Sequence, residues 1–145
     1  MPIVGWLAVG VVLLSVWSCD GAHDQGQDTT AGEFGDGITI TGIPDGFAFT
    51  VAVGVGGSSS FMFATADGSA EFSVTRRLSA PPMSIQGRHV TRDGRVFTVA
   101  QVEGQTRTVE DVGNGVLIEV ASRTLDTESL LDIAETVTYD PARDP

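Results

Sequence analysis

The most constraining feature of the sequence is a pair of alternating runs, FMFATA and SAEFSVT, on either side of Asp67-Gly68. Large apolar residues recur at every second position in these runs, which is the spacing of half-buried β-strands. A two-residue Asp-Gly loop suits a type I′ turn and joins the runs into an antiparallel hairpin. With Ala66 opposite Ser69, the predicted pairs are Phe63–Phe72 and Phe61–Val74 on one face, and Met62–Ser73 and Ala64–Glu71 on the other.

The same two-residue period recurs along most of the chain. It covers residues 38–40, 47–53, 96–99, 106–112 and 116–120, and turn residues such as Pro44-Asp45-Gly46, Asp93-Gly94 and Gly113-Asn114-Gly115 separate these runs. Residues 54–60, GVGGSSS, are expected to form a flexible connection. The pattern therefore predicts a series of antiparallel hairpins.

Only the C-terminal part has helical spacing. In residues 126–137 the apolar side chains of Leu130, Ile133, Ala134 and Val137 fall on one helical face, and Asp126 is placed to cap the N-terminus. The predicted fold class is therefore α+β, an antiparallel β-sheet of about six or seven strands with one C-terminal helix packed on it.

Composition limits the function classes. The 145 residues carry 19 acids and 8 bases, a net charge of −11, which argues against nucleic acid as a partner. A single Cys excludes an intramolecular disulfide, and the absence of Lys excludes Schiff-base chemistry. We expect no cofactor and no metal site; the adjacent His23 and Asp24 define no coordination geometry.

The N-terminus is typical of an exported protein. Residues 3–18 carry no charge and are about as long as a signal-peptide core. Cys19 follows Val16-Trp17-Ser18, which resembles a bacterial lipobox, with an aliphatic residue at −3 and a small residue at −1. The resemblance implies a diacylglycerol on Cys19, cleavage before it, and a protein held on the extracytoplasmic face of the cell membrane. The alternative is an uncleaved anchor in which Cys19 is incidental.

These features predict four segments. They are a signal peptide (1–18), a lipid-anchored flexible acidic tether (19–37), a single β-rich domain with a C-terminal helix (38–139) and a loose tail (140–145). The tether is assigned from its glycines and acids, since it holds one large apolar residue, Phe34.

The exported part also resembles a C-terminal module of bacterial lipoproteins and membrane-bound sigma-factor regulators. Ile43-Pro44-Asp45-Gly46 is similar to the turn that opens this module, and residues 115–120 are similar to its last strand. Residues 128–137, ESLLDIAETV, resemble its closing helix of the ESLLxIAESL type. The resemblance covers about residues 43–138 and implies no catalytic residues.

One cluster of side chains is a candidate binding site. Arg88, His89, Arg92 and Arg95 form a basic patch in an acidic protein and could bind an anionic ligand. The simpler interpretation is a solvated hairpin whose arginines balance acids such as Asp93 and Glu103.

We therefore predict that the protein is a non-catalytic binding or interaction module at the cell envelope. Its partner would be an envelope protein or an anionic envelope component. One alternative is a secreted hydrolase that pairs His89 with Asp93 and a serine, although no GxSxG motif is present. A passive structural envelope lipoprotein is the other alternative.

Overall fold

A computed structural model describes residues 32–78 and 86–144. The predicted signal peptide, Cys19 and most of the predicted tether lie outside the described residues. In chain order the elements are β1 (Gly32–Gly35), β2 (Ile38–Ile40), β3 (Phe47–Val55), β4 (Ser58–Thr65), β5 (Glu71–Leu78), β6 (Arg88–Arg92), β7 (Arg95–Val102), β8 (Gln105–Gly113), β9 (Val116–Ser122), α1 (Thr127–Thr136), β10 (Val137–Tyr139) and a 3-10 turn (Pro141–Arg143).

The strands form two antiparallel sheets. The larger sheet has seven strands in the order β3-β4-β5-β9-β8-β7-β6, and the smaller has three in the order β1-β2-β10. The described chain is thus mostly antiparallel sheet with one α-helix, in broad agreement with the predicted class, although its strand content is higher. The consecutive hairpins predicted over residues 93–120 are confirmed, because β6, β7, β8 and β9 pair in chain order, and β9 also pairs with β5.

The predicted β4–β5 hairpin has the expected register. Phe63 pairs with Phe72, and Phe61 with Val74. The turn type differs, because type I′ needs positive φ at both central residues and only Gly68 (φ 72°) has it. Instead the amide of Gly68 donates to the carbonyl of Thr65 (2.9 Å), and the amide of Thr65 donates to the carbonyl of Ala70 (3.0 Å). The loop is therefore longer than two residues.

Other hairpins do have two-residue turns with positive φ at both positions. These turns are Asp36-Gly37, Gly56-Gly57, Asp93-Gly94, Glu103-Gly104 and Asn114-Gly115. The Gly56-Gly57 turn corrects the expected flexible connection over 54–60, because β3 continues to Val55 and β4 begins at Ser58. Two glycines tolerate this left-handed backbone without steric cost, so a glycine-rich composition here encodes a tight turn.

The larger sheet has a covered face and an open face. Helix α1 contacts β8 and β9 on the covered face, where Phe63, Phe72, Val120, Leu130 and Ile133 belong to one buried cluster. All four apolar positions predicted for the helix are buried, and Asp126 accepts a hydrogen bond from the amide of Ser129 (2.8 Å). The helix prediction is confirmed over Thr127–Thr136, but Val137, which was predicted to lie on the helix, begins strand β10. Among the described residues no helix or second sheet packs on the open face.

Both predicted domain boundaries need correction. Strand β1 begins at Gly32, inside the predicted tether, and Phe34 packs its ring against Phe63 (centroids 5.1 Å apart). At the other end, residues 141–143 form a 3-10 turn, and Asp144 accepts hydrogen bonds from Arg76. The expected loose tail is therefore attached to the sheet, because the carboxylate of Asp144 forms an ion pair with the buried Arg76.

Candidate functional site

The β6–β7 hairpin carries the predicted basic patch. Arg92 pairs directly with Arg95 across the turn, and His89 pairs with Thr98 three positions further along the hairpin. Because side chains alternate along a strand, the arginines at 88, 92 and 95 share the covered face while His89 lies on the open face. The structure therefore divides the patch and does not bring its four members together.

Arg92 binds the acidic side of α1. Its guanidinium donates to Asp132 (2.7 Å), to Glu135 (3.1 Å) and to Glu128. These three acids follow one another at helical spacing along a single face of α1. The hydrogen bonds to Asp132 and Glu135, together with the charge of Glu128, raise the pKa of Arg92. The side chain thus joins the edge strand β6 to the helix.

Arg95 binds the end of the same helix. It makes two hydrogen bonds of 2.7 Å to Glu110 on β8 and donates to the carbonyls of Glu135 (2.8 Å) and Val137 (2.9 Å). Its guanidinium also lies over the ring of Phe97, 5.1 Å from the centroid. The last carbonyls of a helix lack intrahelical donors and carry partial negative charge. An arginine there supplies both the hydrogen-bond donors and the compensating positive charge.

These contacts support charge balance as the role of Arg92 and Arg95. Their partners are Glu110 and the helix acids, and not the expected Asp93 and Glu103. The hairpin sequence gives no signal for these partners, because they lie on β8 and α1, far from the hairpin along the chain.

The surroundings of His89 differ from those of a catalytic base in a hydrolase. Within the described part of the chain, its side-chain hydrogen bond is to the hydroxyl of Thr98, 3.2 Å from Nδ1. A hydrolase triad requires a carboxylate at that nitrogen and a serine at the other. The geometry therefore gives no support to the hydrolase alternative.

A second ion pair attaches the C-terminus to the covered face. Arg76 donates to Asp144 through two nitrogens (2.8 and 2.5 Å) and to the carbonyl of Gly57 (3.2 Å), while the hydroxyl of Tyr139 donates to Asp144 (2.5 Å). Burial raises the pKa of Asp144, but the hydrogen bonds from Tyr139 and Arg76 outweigh it, so the pKa is lowered overall. This cluster satisfies its own charges and is structural.

At the centre of the open face lies a carboxylate between two arginines. Glu119 on β9 is only 8% exposed, and its oxygens lie 3.5 Å from Arg77 and 3.7 Å from Arg107. Both arginine side chains remain about one-third exposed. Glu119 is not among the site residues predicted above, although an acid within the apolar run VLIEV is the sequence signal that could have found it.

The exposed apolar groups of the open face lie on its outer strands β3, β4 and β7, while Leu117, Ala121 and Val109 at its centre are buried. Eight large apolar side chains are exposed in the described residues, and register places six of them on this face: Val51, Val53, Val55, Met62, Val96 and Val102. Exposed apolar groups that share one face are typical of an interaction surface.

No protein-family model matches the chain, and no curated protein matches it in sequence. Within residues 32–78 and 86–144, no helix is long and apolar enough to cross a membrane. The same residues contain no group of three His, Cys, Asp or Glu side chains placed to hold a metal ion.

Proposed function

We propose that the chain is a lipoprotein, anchored through Cys19, whose domain acts as a non-catalytic interaction module on the extracytoplasmic face of the membrane. The observation that carries the interaction role is the centre of the open face, where Arg77, Glu119 and Arg107 lie on the same side of the sheet as the exposed Val96 and Val102. Such a combination offers apolar contact area together with polar groups that orient a partner.

The electrostatics of the open face favour a partner with a carboxylate or phosphate group. Arg77 and Arg107 share one carboxylate at distances beyond those of a strong ion pair, and both are about one-third exposed. Arg107 also donates to Gln105, and among the described residues each guanidinium retains N–H donors for an additional anion. An envelope protein with an acidic side chain, or an anionic envelope component, would meet this requirement.

Anchoring is tested by replacing Cys19 with Ala in cells that express the full chain. Wild type should sediment with membranes and incorporate a labelled fatty acid, because the thioether requires the Cys19 sulfur. The Cys19→Ala chain should lose the label and leave the membrane or accumulate as a precursor. Equal fatty-acid incorporation by both chains would refute the anchor.

The interaction role is tested with a photo-crosslinking residue placed at Val102 on the open face, in the anchored protein. A matched control places it at Glu128, which is exposed on the helix side. Crosslinks to one envelope component from position 102 but not from position 128 would support the proposal. Equal patterns at both positions would favour the passive structural alternative.

A further inference from the structure

The β3–β4 hairpin lacks the charges found in the rest of the domain. Residues 46–66 contain no Asp, Glu, Arg, Lys or His, although the chain as a whole carries 27 charged residues. These residues form β3, the Gly56-Gly57 turn and β4, and β3 is an edge of the seven-stranded sheet. One edge of an otherwise acidic domain is therefore electrically neutral.

The same hairpin exposes a strip of apolar side chains. Val51, Val53 and Val55 are 45%, 47% and 72% exposed, and Met62, which pairs with Val51, is 39% exposed. All four lie on the open face, since Val51 pairs with Met62, which alternates with the buried Phe61 and Phe63. We call these four residues the valine strip.

The chain enters the domain beside this hairpin, on the covered face of the sheet and opposite to the valine strip. Phe34 on β1 packs against Phe49 of β3 (ring centroids 5.6 Å apart) and Phe61 of β4 (6.0 Å), and the hydroxyl of Ser59 donates to Asp36. Twelve residues separate Cys19 from Gly32. A chain of this length spans at most ~45 Å when fully extended, so a lipid on Cys19 would hold the domain, including this hairpin, within that distance of the bilayer.

We propose that the valine strip is a membrane-contact surface that rests on the lipid bilayer beside the anchor. This inference depends on the proposed lipid anchor. Once the anchor holds the domain near the surface, contact becomes effectively intramolecular, so a small apolar area is sufficient to orient the domain. The neutral edge approaches anionic lipid without the repulsion that the acidic remainder would meet. The β6–β7 edge then faces away from the membrane.

The test uses the full lipidated chain in phosphatidylcholine vesicles that carry a nitroxide quencher near the headgroups. Because Cys19 is the only Cys and its sulfur is consumed by the lipid, a new cysteine becomes the sole site for a thiol-reactive fluorophore. The label is placed at Val55→Cys within the strip. The matched control is Val96→Cys, an exposed valine on the same face but on the opposite side of the sheet.

The label at position 55 should be quenched several-fold more strongly than the label at position 96. Adding Val51→Asp and Val53→Asp to the Val55→Cys chain should remove this difference, because carboxylates resist transfer to the interface, while sedimentation with vesicles persists. Equal quenching at the two positions, or quenching unaffected by the aspartates, would overturn the inference. Labelling of the unmodified chain at Cys19 would instead refute the anchor, and with it the basis of the inference.

Discussion

Arg95 donates two hydrogen bonds of 2.7 Å to the two carboxylate oxygens of Glu110, fifteen residues further along the chain. With its contacts to the carbonyls of Glu135 and Val137, the guanidinium joins β7, β8 and the end of α1. This geometry requires a planar group with several donors, which lysine lacks.

We therefore expect Arg95→Lys to destabilise the domain even though the charge is kept. The variant would lose the paired contact with Glu110 and at least one helix carbonyl, at a cost of ~1–3 kcal/mol for hydrogen bonds to charged groups. Chemical denaturation followed by circular dichroism measures this loss. Arg123→Lys, at an exposed arginine, is the control. Equal stability of Arg95→Lys and wild type would show that charge alone matters at position 95.

Ile133 tests the packing of the helix on the sheet. Its side chain is 2% exposed within the core cluster, so Ile133→Ala should cost ~2–5 kcal/mol through lost burial and the cavity left behind. The control Val96→Ala removes methyl groups from a side chain that is 52% exposed and should change stability by less than ~0.5 kcal/mol. Thermal unfolding compares the two variants. Similar melting temperatures for both would contradict the packing of α1 on the sheet.

Alanine substitutions at Gly37 and Gly46 distinguish the effect of steric overlap on stability from that of backbone strain. Both have positive φ (77° and 88°), so an Ala at either position carries a conformational cost of ~1–2 kcal/mol. At Gly37 the added methyl would also overlap the carbonyl of Asp140, whereas at Gly46 it meets open space. Gly37→Ala should therefore have the lower denaturation midpoint. The opposite order would show that the C-terminal segment does not pack on the β1–β2 turn.

Asp67 should make stability depend on pH. The amide of Ser69 and the hydroxyls of Thr65 and Ser69 all donate to its carboxylate and lower its pKa to about 2. A depressed folded-state pKa means that this stabilisation is complete above the unfolded value of ~3.9 and is lost as the pH falls towards 2.

The difference in melting temperature between wild type and Asp67→Asn isolates this effect, because the other carboxyl groups contribute to both proteins. The difference should be largest above pH 4 and fade below it. A constant difference from pH 6 to pH 2 would contradict the lowered pKa of Asp67.

Local patterns in the sequence predicted local structure well. Alternation around Asp67-Gly68 predicted the pairs Phe63–Phe72 and Phe61–Val74, and helical spacing predicted α1 with its cap at Asp126. Each of these predictions depends on residues that are near each other along the chain. The turn type at Asp67 was missed because side-chain hydrogen bonds from Thr65 and Ser69 favour a longer loop.

Contacts between distant segments could not be predicted in the same way. Nothing near Arg92 or Arg95 in sequence indicates that Glu110 and the acids of α1 would neutralise them. An experiment that replaces Arg88, Arg92 and Arg95 together to test anion binding would therefore disturb the helix as well. The partners of Glu119 could not be inferred from the sequence near it either, since Arg77 and Arg107 lie on the two strands that flank β9.

The position of β9 has a consequence for folding kinetics. Within the described sheet, β3–β5 and β6–β8 form local hairpins, and β9 connects the two groups by pairing with β5 on one side and with β8 on the other. The β5–β9 pairing closes a long loop. Such contacts form slowly, because the chain loses the entropy of loop closure before the new contacts stabilise it. During synthesis, the two groups of strands therefore cannot form one sheet until residues 116–122 emerge. Substitutions in β9 should slow folding more than equally destabilising substitutions in β3.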